Sequence, residues 1–291
     1  MQVGFAGLGN MGAAVAGHML SPEHALTVWN RSADKARGLR DRGAAVASSI
    51  DQAVTGDVVF SMLADDHALQ EALLSSGAFD RARPGIIHVN LSTISVELAQ
   101  KLGAFHRARG QHYISAPVLG RPDVAQAGQL IVVAAGPAAA LQTVQPLLES
   151  FSRKLWIVGV EAEKANAVKL AVNLMLTAAI EAMSESAALV GAYGLTAAQL
   201  LDITNTTLFA CPVYQGYGKA IAEAKYEPAG FPVYLGAKDV RLGLAAAEAM
   251  HVPMPVASAV RDSFLQARAM GAETKDIAVL GEVARARAGL T

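Results

Sequence analysis

Cysteine is almost absent from this chain. Cys211 stands alone, which excludes an intramolecular disulfide framework and points to a reducing, cytoplasmic setting. No His or Cys cluster accompanies it, so it reads as a plain loop residue rather than a reactive thiol. An excess of one charge is also missing. The net charge is −1 with both signs scattered, whereas a nucleic-acid or anionic-membrane partner leaves a basic patch. Uninterrupted apolar runs of the roughly eighteen residues that a membrane span needs do not occur. The opening MQVGFAGLGN lacks a basic leader region and enters a strand at once, so no signal peptide is expected. His67, His88, His106, His112 and His251 have no metal-ligand spacing, and neither C-x-x-C nor G-x-S-x-G is present. Zinc and serine-hydrolase chemistry are therefore not expected, and no metal site is assigned.

What the chain does have is length and apolar residues: 291 residues, 53% of them hydrophobic, enough for two domains with cores of their own. Glu161–Val190 runs for thirty residues without Gly or Pro, rich in Ala, Leu, Met and Glu. These are strong helix formers, and the helix they predict is about 45 Å long. Lys169 and Asn173 interrupt its apolar length. Four residues apart, they share one helix face. Burying a Lys in such a helix is costly unless something uses it.

Gln2–Leu8 is an apolar run that ends in Gly7-Leu8-Gly9-Asn10-Met11-Gly12, and Ala13–Leu20 has helical character. Strand, glycine turn and helix are the setting in which G-x-G-x-x-G signifies dinucleotide binding. The first Gly permits the turn, the second admits the pyrophosphate and the third lets the helix pack on the strand. The helix N-terminus favours the anion. The second strand, Ala25–Asn30, lacks the terminal acid that bonds a ribose 2′-hydroxyl. Asn30-Arg31-Ser32 stands there instead, offering a guanidinium and a hydroxyl to a 2′-phosphate. The expected cofactor is NADP(H). Ser32 is also the expected N-cap of a helix over Ala33–Arg42.

Strand and helix signals then alternate. Strands are expected at Ala44–Ala47, Asp57–Leu63, Ile86–Leu91, His112–Val118, Gln129–Ala135 and Lys154–Val158, and helices at Asp66–Leu74, Ser95–Arg109 and Ala138–Phe151. The pattern implies a doubly wound, mostly parallel α/β Rossmann sheet with ligands at the carboxyl ends of its strands. Met62-Leu63-Ala64 and Ser92-Thr93 lie at such ends. Thr93 suits a nicotinamide or a substrate, and equally a helix cap. Gly159 closes this part, so residues 1–160 form the expected cofactor domain and 161–291 an all-helical one. Helices are expected at Ala197–Asn205, capped by Thr196, and at Gly236–His251, Pro253–Gly271 and Ile277–Ala288. Residues 206–236, with Pro212, Pro228 and Pro232 and with Gly216, Gly218 and Gly230 among them, read as a looser stretch with a short helix at Gly218–Lys225.

Five stretches fall in a telling order: Gly7–Gly12, Ser92-Thr93, Ala116–Gly120, Lys169-x-x-x-Asn173 and Lys238-Asp239. Over essentially its whole length the chain resembles the β-hydroxyacid dehydrogenases. These include 3-hydroxyisobutyrate dehydrogenase, tartronate semialdehyde reductase and glyoxylate/succinic semialdehyde reductases, with imine reductases more distant. The resemblance implies a Rossmann domain, a long interdomain helix and an all-helical C-terminal domain. It assigns catalysis to Lys169 and Asn173, Thr93 to the nicotinamide or substrate side and Lys238 to the cofactor side. Lys238 can equally be a helix-start Lys beside Asp239. The family's D-x-P-V-S-G-G loop is replaced by Ser115-Ala116-Pro117-Val118-Leu119-Gly120-Arg121. Its carboxylate-binding Ser is Leu119 here. Ser92, Thr93, Val118, Leu119 and Gly120 form the expected substrate wall, with Lys169 and Asn173 opposite. The expected reaction is NADPH-dependent hydride transfer to a small aldehyde or keto acid, or its reverse from a β-hydroxy acid. Lys169 is its proton donor and acceptor, with a pKa lowered by an apolar cleft. Imine reduction on the same scaffold, and cofactor binding without catalysis, are the alternatives. A homo-oligomer, dimer or tetramer, is expected.

Overall fold

The computed structural model describes residues 1–290. Its contacts divide the chain into two units, Met1–Lys169 and Leu170–Thr291.

The first unit is built on nine strands: β1 (Gln2–Ala6), β2 (Ala25–Trp29), β3 (Ala45–Val46), β4 (Val58–Ser61), β5 (Ile87–Asn90), β6 (His112–Ser115), β7 (Val118–Leu119), β8 (Leu130–Ala135) and β9 (Ser152–Gly159). The sheet order is β3-β2-β1-β4-β5-β6-β8-β7, with β9 paired to β8. Pairing is parallel from β3 through β6, and β8 runs antiparallel to β6 and β7. Order reverses about β1, which lies between β2 and β4 and therefore marks the switch point. Continuous apolar strands such as Val58-Val59-Phe60 are fully buried, as expected where both faces of a parallel sheet are covered.

Several local expectations are corrected. The strand expected over His112–Val118 is two, His112–Ser115 and Val118–Leu119. The helix expected over Ala33–Arg42 is a 3-10 turn, Ala33–Ala36, followed by one α turn, Arg37–Arg40. Ser32 precedes it in extended conformation, but its side chain makes no capping bond. The segment after β4 opens as an α turn, Asp66–Leu69, and widens into a π turn over Gln70–Ser75. Ser95, not Thr93, caps the helix Val96–Arg107, accepting the Leu98 N–H at 3.0 Å.

The second unit is helical. The long helix spans Glu163–Ala192; its first turns belong to the first unit, where Ala162 and Ala165 are buried in the sheet's apolar surroundings. By length and mean hydropathy (1.4) it would suffice to cross a membrane, yet 44% of that window is buried, and Thr177 and Ser184 are buried along it. Thr196 forms a full capping box with Gln199 at the head of Ala197–Asn205. Within 206–236, expected to be loose, an eleven-residue helix runs over Pro212–Ala222. Pro212 occupies its first turn, where no N–H is needed. Gly218 permits a close approach, since a Cβ there would lie 3.1 Å from Leu201. Helices Val233–Ala249 and Pro255–Ala269 follow. A 3-10 turn, Ile277–Val279, leads into the last helix, Leu280–Arg287.

The core of the first unit holds an unusual polar line among apolar rings. Ser61 Oγ lies 2.8 Å from His88 Nε2, His88 Nδ1 lies 2.9 Å from His106 Nε2, and His106 Nδ1 lies 2.9 Å from Gln111 Oε1. Phe79 stacks on His88 and meets His106 edge-on, while Tyr113 stacks on His106 and meets His88 edge-on. Burial drives both rings toward the neutral form. His88 is held well below its ordinary value by desolvation and then by the neighbouring imidazole. His106 is pulled down to about 4 by desolvation, aided by the Arg109 charge and opposed by the Gln111 hydrogen bond. Between the unfolded value, about 6.5, and the folded one, the unfolded chain binds more protons. This contribution is therefore complete above pH ~6.5 and is lost as the pH falls toward 4. The expected loss from His106 alone is about 3 kcal/mol. Urea unfolding at pH 7 and pH 4.5 checks it: the acid-induced drop should shrink in His106→Phe, and an equal drop in both proteins would contradict the assignment.

Candidate functional site

At the switch point, β1 ends in the glycine turn and the helix Asn10–His18 begins with Gly9 as its N-cap, unserved by any side chain. The three glycines differ in what surrounds them. Gly7 has φ +101°, and a Cβ there would lie 2.3 Å from the Met62 carbonyl oxygen. A Cβ at Gly12 would lie 2.0 Å from the Gly7 carbonyl oxygen. Both are closed positions that let helix and strands approach. Gly9 has nothing within 4 Å of its would-be Cβ, so its surface is open to something outside the chain. Open backbone at an uncapped helix N-terminus fits a pyrophosphate.

Asn30, at the end of β2, holds this turn in place. Its Oδ1 accepts the Leu8 N–H at 2.9 Å and its Nδ2 donates to the Ser32 carbonyl at 3.0 Å. With its amide spent on the backbone, Asn30 shapes the loop. Arg31 and Ser32 are exposed beside it. Asn10 is exposed and Met11 half-buried, while Leu8 is buried in the core.

The ends of β4 and β5 are tied together. Met62 N–H donates to the Ala6 carbonyl, continuing the ladder, and Leu63 N–H donates to Ser92 Oγ at 2.8 Å. Ser92 is 2% exposed; Thr93 and Leu63 are half-buried and Ala64 is exposed. Val118 is buried and Leu119 half-buried, paired with Val132 and Ile131 on β8. Gly120 follows at φ +143°. Leu119 packs against an apolar cluster that includes Val133, Ala135 and Ala165, which explains why an aliphatic side chain is accommodated there.

On the long helix, Lys169 is 9% exposed and Asn173 5% exposed, one turn apart as the spacing predicts. In the second unit, Asn173 Nδ2 donates to Asp239 Oδ2 at 2.6 Å. Gly243 makes this possible. A Cβ there would lie 2.8 Å from Leu174, so the helix Val233–Ala249 sits close enough for Asp239 to reach Asn173. Lys238 Nζ lies 3.2 Å from Asp239 Oδ1. That oxygen has no hydrogen bond, so the contact is an ion pair out of hydrogen-bond alignment rather than a directed bond. Asp239 belongs to the Lys238-Asp239 stretch, but its bond to Asn173, 66 residues away along the chain, has no sequence signal. Asn166 is also wholly buried, three residues before Lys169. Its Nδ2 donates weakly to the Ile94 carbonyl at 3.4 Å, and its Oδ1 has no partner.

Known proteins resemble both units. Residues 2–159 match the family model for the NAD binding domain of 6-phosphogluconate dehydrogenase. Residues 164–283 match that for the NAD-binding region of NADP-dependent 3-hydroxyisobutyrate dehydrogenase. The uncharacterized oxidoreductase YfjR of Bacillus subtilis is 42% identical over 266 residues, covering 91% of this chain and 93% of that protein. Glyoxylate/succinic semialdehyde reductase 1 of Arabidopsis thaliana is 31% identical over 98% of this chain and 99% of its own. Among solved structures, 3-hydroxyisobutyrate dehydrogenase of Mycobacterium tuberculosis with L-serine superposes with a TM-score of 0.88. The identity there is 26%, covering 98% of this chain and 99% of the other.

Proposed function

The chain belongs to the β-hydroxyacid dehydrogenase family of NAD(P)-dependent oxidoreductases, and we propose that it is an NADPH-dependent reductase of small aldehydes or keto acids that uses Lys169 as its general acid. The observation that carries this reading is the buried pair Lys169 and Asn173, one turn apart, with Asn173 anchored on Asp239. When bound, the dinucleotide supplies the hydride. The chain must then hold the carbonyl and manage one proton. Lys169 gives that proton to the oxygen as negative charge develops on it; in the oxidising direction, neutral Lys169 takes it back. Asp239 fixes the Asn173 amide by accepting one N–H, which leaves the amide oxygen and the second N–H to orient substrate or ammonium.

Residues 1–160 are assigned to the cofactor and 161–291 to substrate and oligomerisation. Gly7–Gly12 cradle the pyrophosphate, with Met62, Leu63, Ala64, Thr93 and Lys238 along the rest of the dinucleotide. Arg31 and Ser32 receive the 2′-phosphate. The absence of a carboxylate after β2 and the match to an NADP-dependent enzyme's model support NADP(H) over NAD(H). Asn30 contributes by shaping the loop. Ser92, Thr93, Val118, Leu119 and Gly120 are assigned to the substrate wall. Exposed Met175, Leu189, Tyr193 and Ile203 on the helical unit support a homo-oligomer formed through helices. Exposed Cys211 suits the cytoplasm.

A panel of aldehydes, keto acids and imines with NADPH tests the reading. Oxidation of NADPH by a carbonyl is expected; turnover with imines alone would replace it by imine reduction, and none at all would sink it. Lys169→Ala should lower turnover by about 10²–10⁴-fold while NADPH binding stays near normal, and undiminished turnover would refute the mechanism. Arg31→Ala should weaken NADPH by about 1–3 kcal/mol, the scale of a lost charged hydrogen bond, and NADH hardly at all. Calorimetric titration that found equal losses for the two cofactors would overturn the 2′-phosphate assignment.

A further inference from the structure

The polar line in the first unit reaches the carboxyl ends of the strands, and both its ends are fixed. Gln111 Nε2 donates to the Phe79 carbonyl at 2.8 Å and more weakly to that of Ala82 at 3.4 Å. Its Oε1 can therefore only accept from His106. At the other end, Asn90 Oδ1 accepts the Ser92 N–H at 3.0 Å and Nδ2 donates to Tyr113 Oη at 3.1 Å. That Oδ1 can only accept from Ser61, 3.2 Å away. Between these two acceptors lie four contacts, and Ser61 and two neutral imidazoles bring three hydrogens. One contact must lack a hydrogen. It is Ser61–Asn90, at 3.2 Å the longest of the four. His88 draws the Ser61 proton away, and Asn90 Oδ1 is left to the Ser92 N–H.

Ser92 is thereby held twice, through its own N–H and through its Oγ, which accepts the Leu63 N–H. Accepting that bond leaves the hydroxyl hydrogen to give, and among the described residues no acceptor faces it. Leu63 and Ser92 follow β4 and β5 at the end of the sheet where doubly wound folds receive a dinucleotide. We propose that Asn90 is a positioning residue for the nicotinamide end of the cofactor: it locks Ser92 so that the hydroxyl donates to the ring's carboxamide, and the imidazole line keeps Asn90 committed to that task. The proposal rests on the cofactor reading above.

The proton count separates two substitutions of similar size. Asn90→Leu removes the acceptor and releases Ser92. Asn90→Asp keeps an oxygen for the Ser92 N–H, lets the Tyr113 hydroxyl turn to donate to the other oxygen, and carries the one extra proton that fills the fourth contact. Titrating full-length protein with NADPH, followed by nicotinamide fluorescence, and with 2′,5′-ADP, which lacks the nicotinamide, tests this. Asn90→Leu should weaken NADPH about tenfold, the scale of one lost hydrogen bond, and leave 2′,5′-ADP unchanged. Asn90→Asp should recover most of the loss. In a Ser92→Ala background, Asn90→Leu should cost nothing more. Should Asn90→Leu fail to fold, Tyr113→Phe removes the acceptor of Asn90 Nδ2 and should show the same selectivity and the same disappearance with Ser92→Ala. Equal loss for both ligands, multiplicative losses with Ser92→Ala, or an aspartate as damaging as leucine would overturn the positioning role. Wild-type protein that bound neither ligand would overturn the cofactor reading, and this proposal with it.

Discussion

The hydrogen bond from Asn173 to Asp239 is the buried polar contact on which the fit of the long helix against the helix Val233–Ala249 depends. A buried amide can rotate its oxygen and nitrogen into either direction, and only a fixed partner decides between them. Asp239, an acceptor at 2.6 Å, makes that decision. The Gly243–Leu174 approach brings the carboxylate within reach, so a missing side chain on one helix sets the orientation of a side chain on another. Lys169 stands one turn earlier on the same helix as Asn173. Burying a Lys side chain to 9% exposure is costly, and this cost is why the position stands out on the helix.

The first unit shows the same economy with different parts. Its glycine turn leaves one open position, Gly9, between two closed ones, Gly7 and Gly12. Around it the polar side chains are spent on backbone: Asn30 on Leu8 and Ser32, Ser92 on Leu63, Asn90 on Ser92. These bonds stiffen the ends of β2, β4 and β5, the ends that meet the dinucleotide in a doubly wound sheet. The buried imidazoles of His88 and His106 stay neutral because desolvation outweighs what a charge would gain.

What the sequence made legible was local. The glycine turn, the alternation of strand and helix, and the four-residue step from Lys169 to Asn173 are patterns of neighbours, and each appears where expected. The capping box at Thr196 is equally local. What stayed hidden depends on distance along the chain. Asn173 and Asp239 are 66 residues apart, and His88 meets Ser61 and His106 only because parallel strands and a crossover helix align them. Histidines read singly gave no sign of a line. The helix Pro212–Ala222 was masked by its own Pro and Gly residues, since propensity counts them as breakers, while Pro212 fits the first turn and Gly218 lets Leu201 approach. Ser32 precedes a 3-10 turn rather than the expected α-helix, and its side chain makes no capping bond there.

The central claim is that Lys169 supplies the proton in carbonyl reduction. Chemical rescue tests it most directly. In Lys169→Ala, added small primary amines should restore NADPH oxidation in proportion to their concentration, with a Brønsted dependence on amine acidity, while leaving the wild-type rate unchanged. A variant that no amine rescues, although it binds NADPH and a carbonyl substrate normally, would contradict the account.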